Sequence, residues 1–322
     1  MLNVAPDAFG EPLDDRFRRP RRLVFGIGAQ KSGTTWLASY LSGHPDIHMS
    51  PRKELHYWSV IRGAHYRRTK LKNDRDRARS ALGGSLLERL RNRFDGLTKG
   101  QPDSKHAIYA RLYDQPAAPH SNYADALFLD YKGQPVAGEF TPAYATLSVD
   151  GYREMAALAP DVRFVFVMRD PVARLVSGIR HFARGEIGSA NVTPQIVRDR
   201  ILASLADPEH FDVVRSRYDL TIAQLEAAVG ADKVFYLFYE TMFQQSEMDR
   251  LCDFLDIAPA LASVDRRVNG GRDTATVVDE DLSSVMRTAL TPVYDFMRQR
   301  FGSLPQTWSK VGAKIGERKL EG

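Results

Sequence analysis

Between residues 22 and 43 the chain has room for only one local arrangement. A short apolar run (Leu23, Val24, Phe25, Ile27) leads into Gly28 to Trp36, G-A-Q-K-S-G-T-T-W, after which Trp36, Leu37, Tyr40 and Leu41 share one helical face. Strand, glycine turn and helix N-terminus in this order aim backbone N–H groups at a phosphate. A nucleotide-hydrolysing loop, G-x-x-x-x-G-K-[ST], carries its lysine directly after the second glycine. Here Gly28 and Gly33 keep that spacing, but Thr34 stands in the lysine position and Lys31 comes two residues before Gly33. The loop suits a phosphate ester and lacks the lysine of nucleotide hydrolases.

The 322 residues are 43% hydrophobic and 26% charged, enough for one elaborated α/β domain or two small ones. A single cysteine excludes an internal disulfide framework and fits a reducing compartment. No apolar run approaches the roughly 20 residues that span a bilayer, and the first ten residues have no basic-then-apolar signal pattern. A cytoplasmic location is therefore expected. The net charge of +5 favours anionic ligands but is too small to argue for nucleic acid, for which no motif is present.

Residues 1–21 read as a flexible leader. Its closing arginines (Arg16, Arg18, Arg19 and Arg21, continued by Arg22) suit a solvated tail or a peripheral contact with an anionic membrane surface. Residues 22–310 read as one domain and 311–322 as a tail. Between Arg62 and Lys99 there are twelve Lys/Arg against four Asp/Glu, an excess of eight. Leu82, Leu86, Leu90 and Phe94 suggest an amphipathic helix over about 75–94, and 100–135 reads as irregular loop. The whole 62–135 segment reads as a basic, substrate-side insertion. Beyond it, helices are expected at 151–159, 215–229, 246–256 and 281–300, with buried strands at 164–168 and 234–239. Strands alternating with helices imply a three-layer α/β fold, with a central parallel sheet flanked by helices.

Arg169 lies just past the carboxyl end of the 164–168 strand, where open α/β sheets bind ligands. Asp170-Pro171 opens a helix, as N-cap and first helical residue. Ser177, seven residues past Asp170, returns nearly to the azimuth of that cap, so Arg169 and Ser177 can grip one anion. The competing reading makes Asp170 a magnesium ligand, which calls for the lysine the loop lacks.

Gln30 to Trp36 resembles the 5′-phosphosulfate-binding loop of sulfotransferases that use 3′-phosphoadenosine 5′-phosphosulfate (PAPS). Val165 to Ser177, V-F-V-M-R-D-P-V-A-R-L-V-S, resembles their 3′-phosphate segment. Pro45-Asp46-Ile47 and Glu54-Leu55-His56-Tyr57-Trp58 resemble elements of the heparan-sulfate-type branch and its bacterial relatives, as does Phe140 to Tyr144. The resemblance is specific over about 22–58 and 138–182. It implies a P-loop-like fold and sulfuryl transfer from PAPS to a hydroxyl, or secondarily an amine, of a carbohydrate, glycolipid or small natural product, without a metal. It assigns Lys31, Ser32, Gly33, Thr34, Thr35 and Trp36 to the 5′-phosphosulfate. Arg169 and Ser177 go to the 3′-phosphate, with Arg272 of Asn269-Gly270-Gly271-Arg272 as a further contact. Lys31 would meet charge developing on the bridging oxygen. Glu54 takes the place of the base, with His56 as the reserve candidate; on an extended 54–58 segment both side chains share one face. Tyr218 and Tyr239 read as core or interface aromatics.

One departure matters. The heparan-sulfate pattern has lysine where this chain has Phe140, which weighs against a heparan-like acceptor. Two other readings stay open at this level: a kinase or NTPase with a degenerate loop, and a protein of the same fold that binds nucleotide without catalysis. The acceptor and the oligomeric state are not legible in the sequence.

Overall fold

In the computed structural model, which describes residues 13–62, 104–114, 119–262 and 278–309, the apolar run after the arginines is strand β1, Arg22–Gly28. It feeds α1 (Thr34–Gly43), the short strand β2 (Ile47–Met49) and α2 (Tyr57–Arg62). After 63–103 come α3 (Ser104–Arg111), α4 (Ser121–Leu127) and β3 (Val136–Phe140). Next are α5 (Val149–Ala156), β4 (Val162–Met168), α6 (Pro171–Ile187), α7 (Pro194–Leu205), α8 (Phe211–Val214) and α9 (Tyr218–Val229). Strand β5 (Val234–Phe238), α10 (Gln245–Leu255), α11 (Glu280–Ala289) and α12 (Thr291–Phe301) complete the described chain.

The five strands form one parallel sheet in the order β2-β3-β1-β4-β5. Period-two alternation sends side chains into two separate cores. Leu23, Phe25 and Ile27 of β1, with Phe164, Phe166 and Met168 of β4, pack under the α4, α5, α6, α9 and α12 layer. Val24, Val165 and Val167 face the other way, against Leu37 and Leu41 of α1 and Leu251 and Leu255 of α10. Both faces are covered, so the central strands read as continuous apolar runs. The expected α/β fold with helices on both sides of a parallel sheet is what forms.

Several local expectations change. Residues 13–21 pack onto the domain: Phe17 is fully buried, and Arg16 pairs with Asp14 and Asp125. Arg21 pairs with Asp256, and the buried Arg22 with Asp161 at 2.7 Å. Part of the arginine cluster is therefore spent inside the molecule, on carboxylates brought from distant segments. The 100–135 stretch holds α3 and α4 in place of continuous loop. The single helix expected at 281–300 is two, α11 and α12, broken at Leu290, because Pro292 has no N–H to continue the α11 ladder and instead suits the first turn of α12. The helix expected over 75–94, Arg272 and the 311–322 tail lie outside the described residues. Among the described residues no helix is long and apolar enough to cross a membrane.

Phe140 closes the sheet in a specific way. It pairs with Gly26 across β1 and β3, and a Cβ on Gly26 would stand 2.2 Å from the Phe140 ring. Overpacking of a buried ring has few outlets in a close-packed layer. Gly26→Ala is expected to lower unfolding free energy by about 2 kcal/mol, with Phe140→Leu in the same protein restoring part of the loss; urea denaturation of the wild type and both variants checks this.

Candidate active site

Four strand ends supply the site. At the end of β1 the chain turns through Ala29 to Gly33. Gly33 has φ 77°, and a Cβ there would meet Met242 Cε at 2.4 Å and the Tyr239 ring at 2.8 Å. Lys31 adopts φ 72°, a left-handed conformation that costs a lysine free energy unless its surroundings impose it. Arg169 supplies that restraint, its Nη1 donating to the Lys31 carbonyl at 3.2 Å. Helix α1 begins at Thr34 without a side-chain cap. The N–H groups of Ser32 and Trp36 are spent on the Ala29 and Gly33 carbonyls, so within Ser32–Trp36 those of Gly33, Thr34 and Thr35 remain to meet a ligand. This narrows the expected Ser32–Trp36 cradle to its middle. Ser32 itself is fully buried, and Trp36 packs into the core under α1.

At the end of β4, Arg169 is fixed from three sides. Its guanidinium lies 4.8 Å over the Tyr239 ring, and the Tyr218 hydroxyl donates to its backbone carbonyl at 2.9 Å. The third contact is the bond to Lys31 already described. Tyr239, at the end of β5, thus belongs to the site, while Tyr218 is a core residue whose hydroxyl braces it. Asp170 caps α6, accepting from the Ala173 N–H at 2.8 Å, and its other oxygen accepts from the Tyr294 hydroxyl at 2.9 Å. Ser177 lies two turns into α6, partly exposed. The same helix carries His181 and Arg184, four and seven residues on, on the face Ser177 occupies.

The third segment is 53–56. It is not extended: Glu54 and His56 are left-handed, with φ 64° and 58°, and α2 starts immediately after. Buried Glu139 on β3 forces this path. Its carboxylate accepts from the hydroxyls of Tyr123 (2.6 Å), Tyr144 (2.7 Å) and Thr141 (2.6 Å) and from the Leu55 N–H (3.2 Å). The Glu54 N–H donates to the Phe140 carbonyl at 3.2 Å, and the His56 N–H to Thr141 Oγ1 at 3.4 Å. Glu54 and His56 therefore meet, with His56 Nε2 3.4 Å from Glu54 Oε2. Lys53 holds the other carboxylate oxygen: its Nζ is 3.0 Å from Glu54 Oε1 and donates to Thr35 Oγ1 at 3.1 Å. The donor loop and the candidate base are thereby joined.

Burial alone would raise the Glu54 carboxyl, but the His56 hydrogen bond and the Lys53 ammonium more than reverse it and hold it at about 2. Lys31 is also lowered, which for an ammonium disfavours the charged form: burial lowers it, and the neighbouring Arg169, Arg184, Arg174 and Lys53 lower it further. A half-buried cation among cations favours an anionic ligand. His181 shares this field, lowered first by burial and then by Lys31, with Glu54 opposing. The sequence reading does not single out Lys53, His181, Arg184 or Arg215, whose Nη1 donates to Gln30 Oε1 at 2.9 Å, and it takes Tyr239 for a core or interface aromatic, whereas its ring lies under the Arg169 guanidinium. For His181 and Arg184 the helical spacing from Ser177 was the available signal. Arg272 lies outside the described residues, and among them no cluster of His, Cys, Asp and Glu is arranged to hold a metal.

The depressed Glu54 carboxyl sets a stability dependence. Because its folded value lies below the ordinary 4.5, its contribution is fully present above about pH 4.5 and is lost as pH falls toward 2. Thermal melts of the wild type and Glu54→Gln are expected to differ by a constant amount above about pH 5, the gap closing below that.

Residues 23–260, which span all five strands, match the profile of the Sulfotransferase family. Among solved structures, a sulfotransferase from Alicyclobacillus acidocaldarius aligns with TM-score 0.59 and 18% identity, covering 90% of this chain and 99% of its own. The sulfotransferase domain of the Synechococcus PCC 7002 olefin synthase aligns with TM-score 0.46 and 17% identity, covering 92% of this chain and 93% of its own. No curated protein matches in sequence. The likeness to the Alicyclobacillus structure concerns the fold; the match over 23–260 carries the assignment, and the chain belongs to the Sulfotransferase family.

Proposed function

We propose that the protein moves a sulfuryl group from PAPS to a hydroxyl, or secondarily an amine, of a carbohydrate, glycolipid or small natural product. The observation that carries this reading is the convergence of Lys31, Thr35, Lys53, Arg169 and Glu54, tied by three contacts of 3.0–3.2 Å, on one site where cations outnumber the single carboxylate. The residues fit the donor: a helix start without a side-chain cap, two lysines and an arginine suit a nucleotide carrying several negative charges. The donor supplies an activated sulfuryl group whose bridging oxygen takes up charge as the S–O bond breaks.

In this reading the N–H groups of Gly33, Thr34 and Thr35 and the threonine hydroxyls hold the 5′-phosphate. Arg169 and Ser177 hold the 3′-phosphate. Lys31 meets the charge developing on the leaving oxygen, and Glu54 takes the proton of the attacking hydroxyl. It is ionised and so free to accept that proton, though the contacts that hold its value low also make it a weaker base, and His56 on its far oxygen orients it. The heparan-sulfate-type branch is the finer affiliation that the Glu54-to-Trp58 element supports, while Phe140 speaks against its polysaccharide acceptors. The magnesium reading loses support because both Asp170 oxygens are engaged, one by the α6 cap and one by Tyr294.

Purified protein incubated with labelled PAPS, without metal, and an extract of its source cell is expected to yield a labelled sulfate ester. Magnesium-dependent turnover of ATP in place of this would overturn the proposal. With the product's acceptor in hand, Lys31→Met is expected to cut kcat by about 10²–10³-fold. Glu54→Gln is expected to cut it by about 10³-fold while adenosine 3′,5′-bisphosphate binds within about twofold of wild type. Near-normal turnover by Glu54→Gln removes Glu54 as the base and directs attention to His56.

A further inference from the structure

A base placed beside a sulfuryl donor faces an electrostatic conflict. The carboxylate must stay ionised, yet it sits next to a ligand that is itself multiply anionic, and like charges at contact range repel strongly where water is partly excluded. In this protein one side chain stands between the two. Lys53 bridges Glu54 Oε1 and Thr35 Oγ1, 18 residues apart in sequence, with both contacts close to 3 Å. A solvated surface lysine makes no such pair of contacts to different elements.

We infer that Lys53 is a positioning residue that screens the Glu54 carboxylate from the anionic donor and turns the Thr35 hydroxyl hydrogen toward it. The inference rests on the donor reading above. The second half follows from hydroxyl geometry: a threonine oxygen accepting from an ammonium has its own hydrogen left to donate elsewhere. The first half follows from placement. Glu54 Oε1 is covered by Lys53 and Oε2 by His56, while Lys31 in the donor loop adds a charge nearby and His181 on α6 a titratable ring held toward its neutral form. Lys53 is the member of that set that touches both the loop and the carboxylate. Its contribution to donor binding should therefore depend on the charge at position 54, which no independent phosphate-binding lysine would show.

Calorimetric titration with adenosine 3′,5′-bisphosphate tests this in the full-length wild type, Lys53→Met, Lys53→Gln, Glu54→Gln and Lys53→Met/Glu54→Gln, each checked for folding by a thermal melt. Lys53→Met is expected to weaken binding on the order of tenfold, the scale of one charge-assisted hydrogen bond. In the double variant most of that loss is expected to disappear, because the carboxylate left unscreened is gone. Lys53→Gln, which keeps a donor for Thr35 and loses only the charge, stands in if the methionine variant does not fold, and it should show the same dependence on residue 54. An equal loss with and without Glu54, or a change below about twofold in Lys53→Met, overturns the inference while leaving the donor reading intact. A wild type that does not bind the bisphosphate overturns both.

Discussion

The buried carboxylate of Glu139 is the constraint on which the catalytic side of this molecule depends. It stands on β3 in the core-facing register, where burial pushes its proton affinity up and three hydroxyls and the Leu55 N–H oppose that shift. A buried carboxyl is costly unless its oxygens are filled, and here four donors from three separate segments fill them. The donors are not interchangeable in consequence. Tyr123 ties in α4, Tyr144 and Thr141 tie in the turn after β3, and the Leu55 N–H ties in the segment that carries Glu54. Losing the carboxylate would release that segment and leave two fully buried tyrosine hydroxyls short of an acceptor.

Seen from this anchor, the left-handed residues fall into place. Lys31, Glu54 and His56 each occupy backbone conformations that cost a side-chain-bearing residue roughly 1–3 kcal/mol. Each has a hydrogen bond on its own or the adjacent peptide: Arg169 to the Lys31 carbonyl, the Leu55 N–H to Glu139, the His56 N–H to Thr141. Three of the six left-handed non-glycine residues among the described ones thus fall in the candidate site, each held by a hydrogen bond from outside its own side chain. The two halves of the site are then joined by side chains, Lys53 across to Thr35 and Arg169 across to Lys31. A change of charge in the donor loop is therefore felt at the carboxylate.

Much of the scaffold was legible because it obeys simple periods. The β1 run, its glycine loop and α1 follow one another without interruption, and F-V-F-V-M declares β4 by its apolar continuity. Strands β2 and β3 were not legible: Ile47–Met49 is three residues long, and Val136–Phe140 carries a glutamate at a buried position. No sequence period announces a buried acid whose partners come from positions 55, 123, 141 and 144. The site divides along the same line. Lys31, Arg169 and Glu54 stand out because motif and strand end coincide there. Lys53 reads as a surface neighbour of Glu54 until the left-handed turn at 54 is known. That turn is imposed from β3, so no local reading of 50–58 contains it.

Phe140 shows how packing and electrostatics trade places within one strand. Glu139 and Thr141 point into the core beneath the 53–56 segment, so the residue between them faces the other layer, where the Phe140 ring covers Gly26 among Val24, Trp36 and Leu37. A cation at this position would have to leave that apolar layer to reach the carboxylate, at the cost of the contact that seals β1 against β3. The chain supplies a cation beside Glu54 from position 53 instead, one peptide away and within reach of Thr35 in the glycine loop. Position 140 is thereby free to serve the core alone. The charge that pairs with Glu54 comes from its own segment and reaches across to Thr35 of the glycine loop, so under the proposed function the state of the base is tied to the nucleotide.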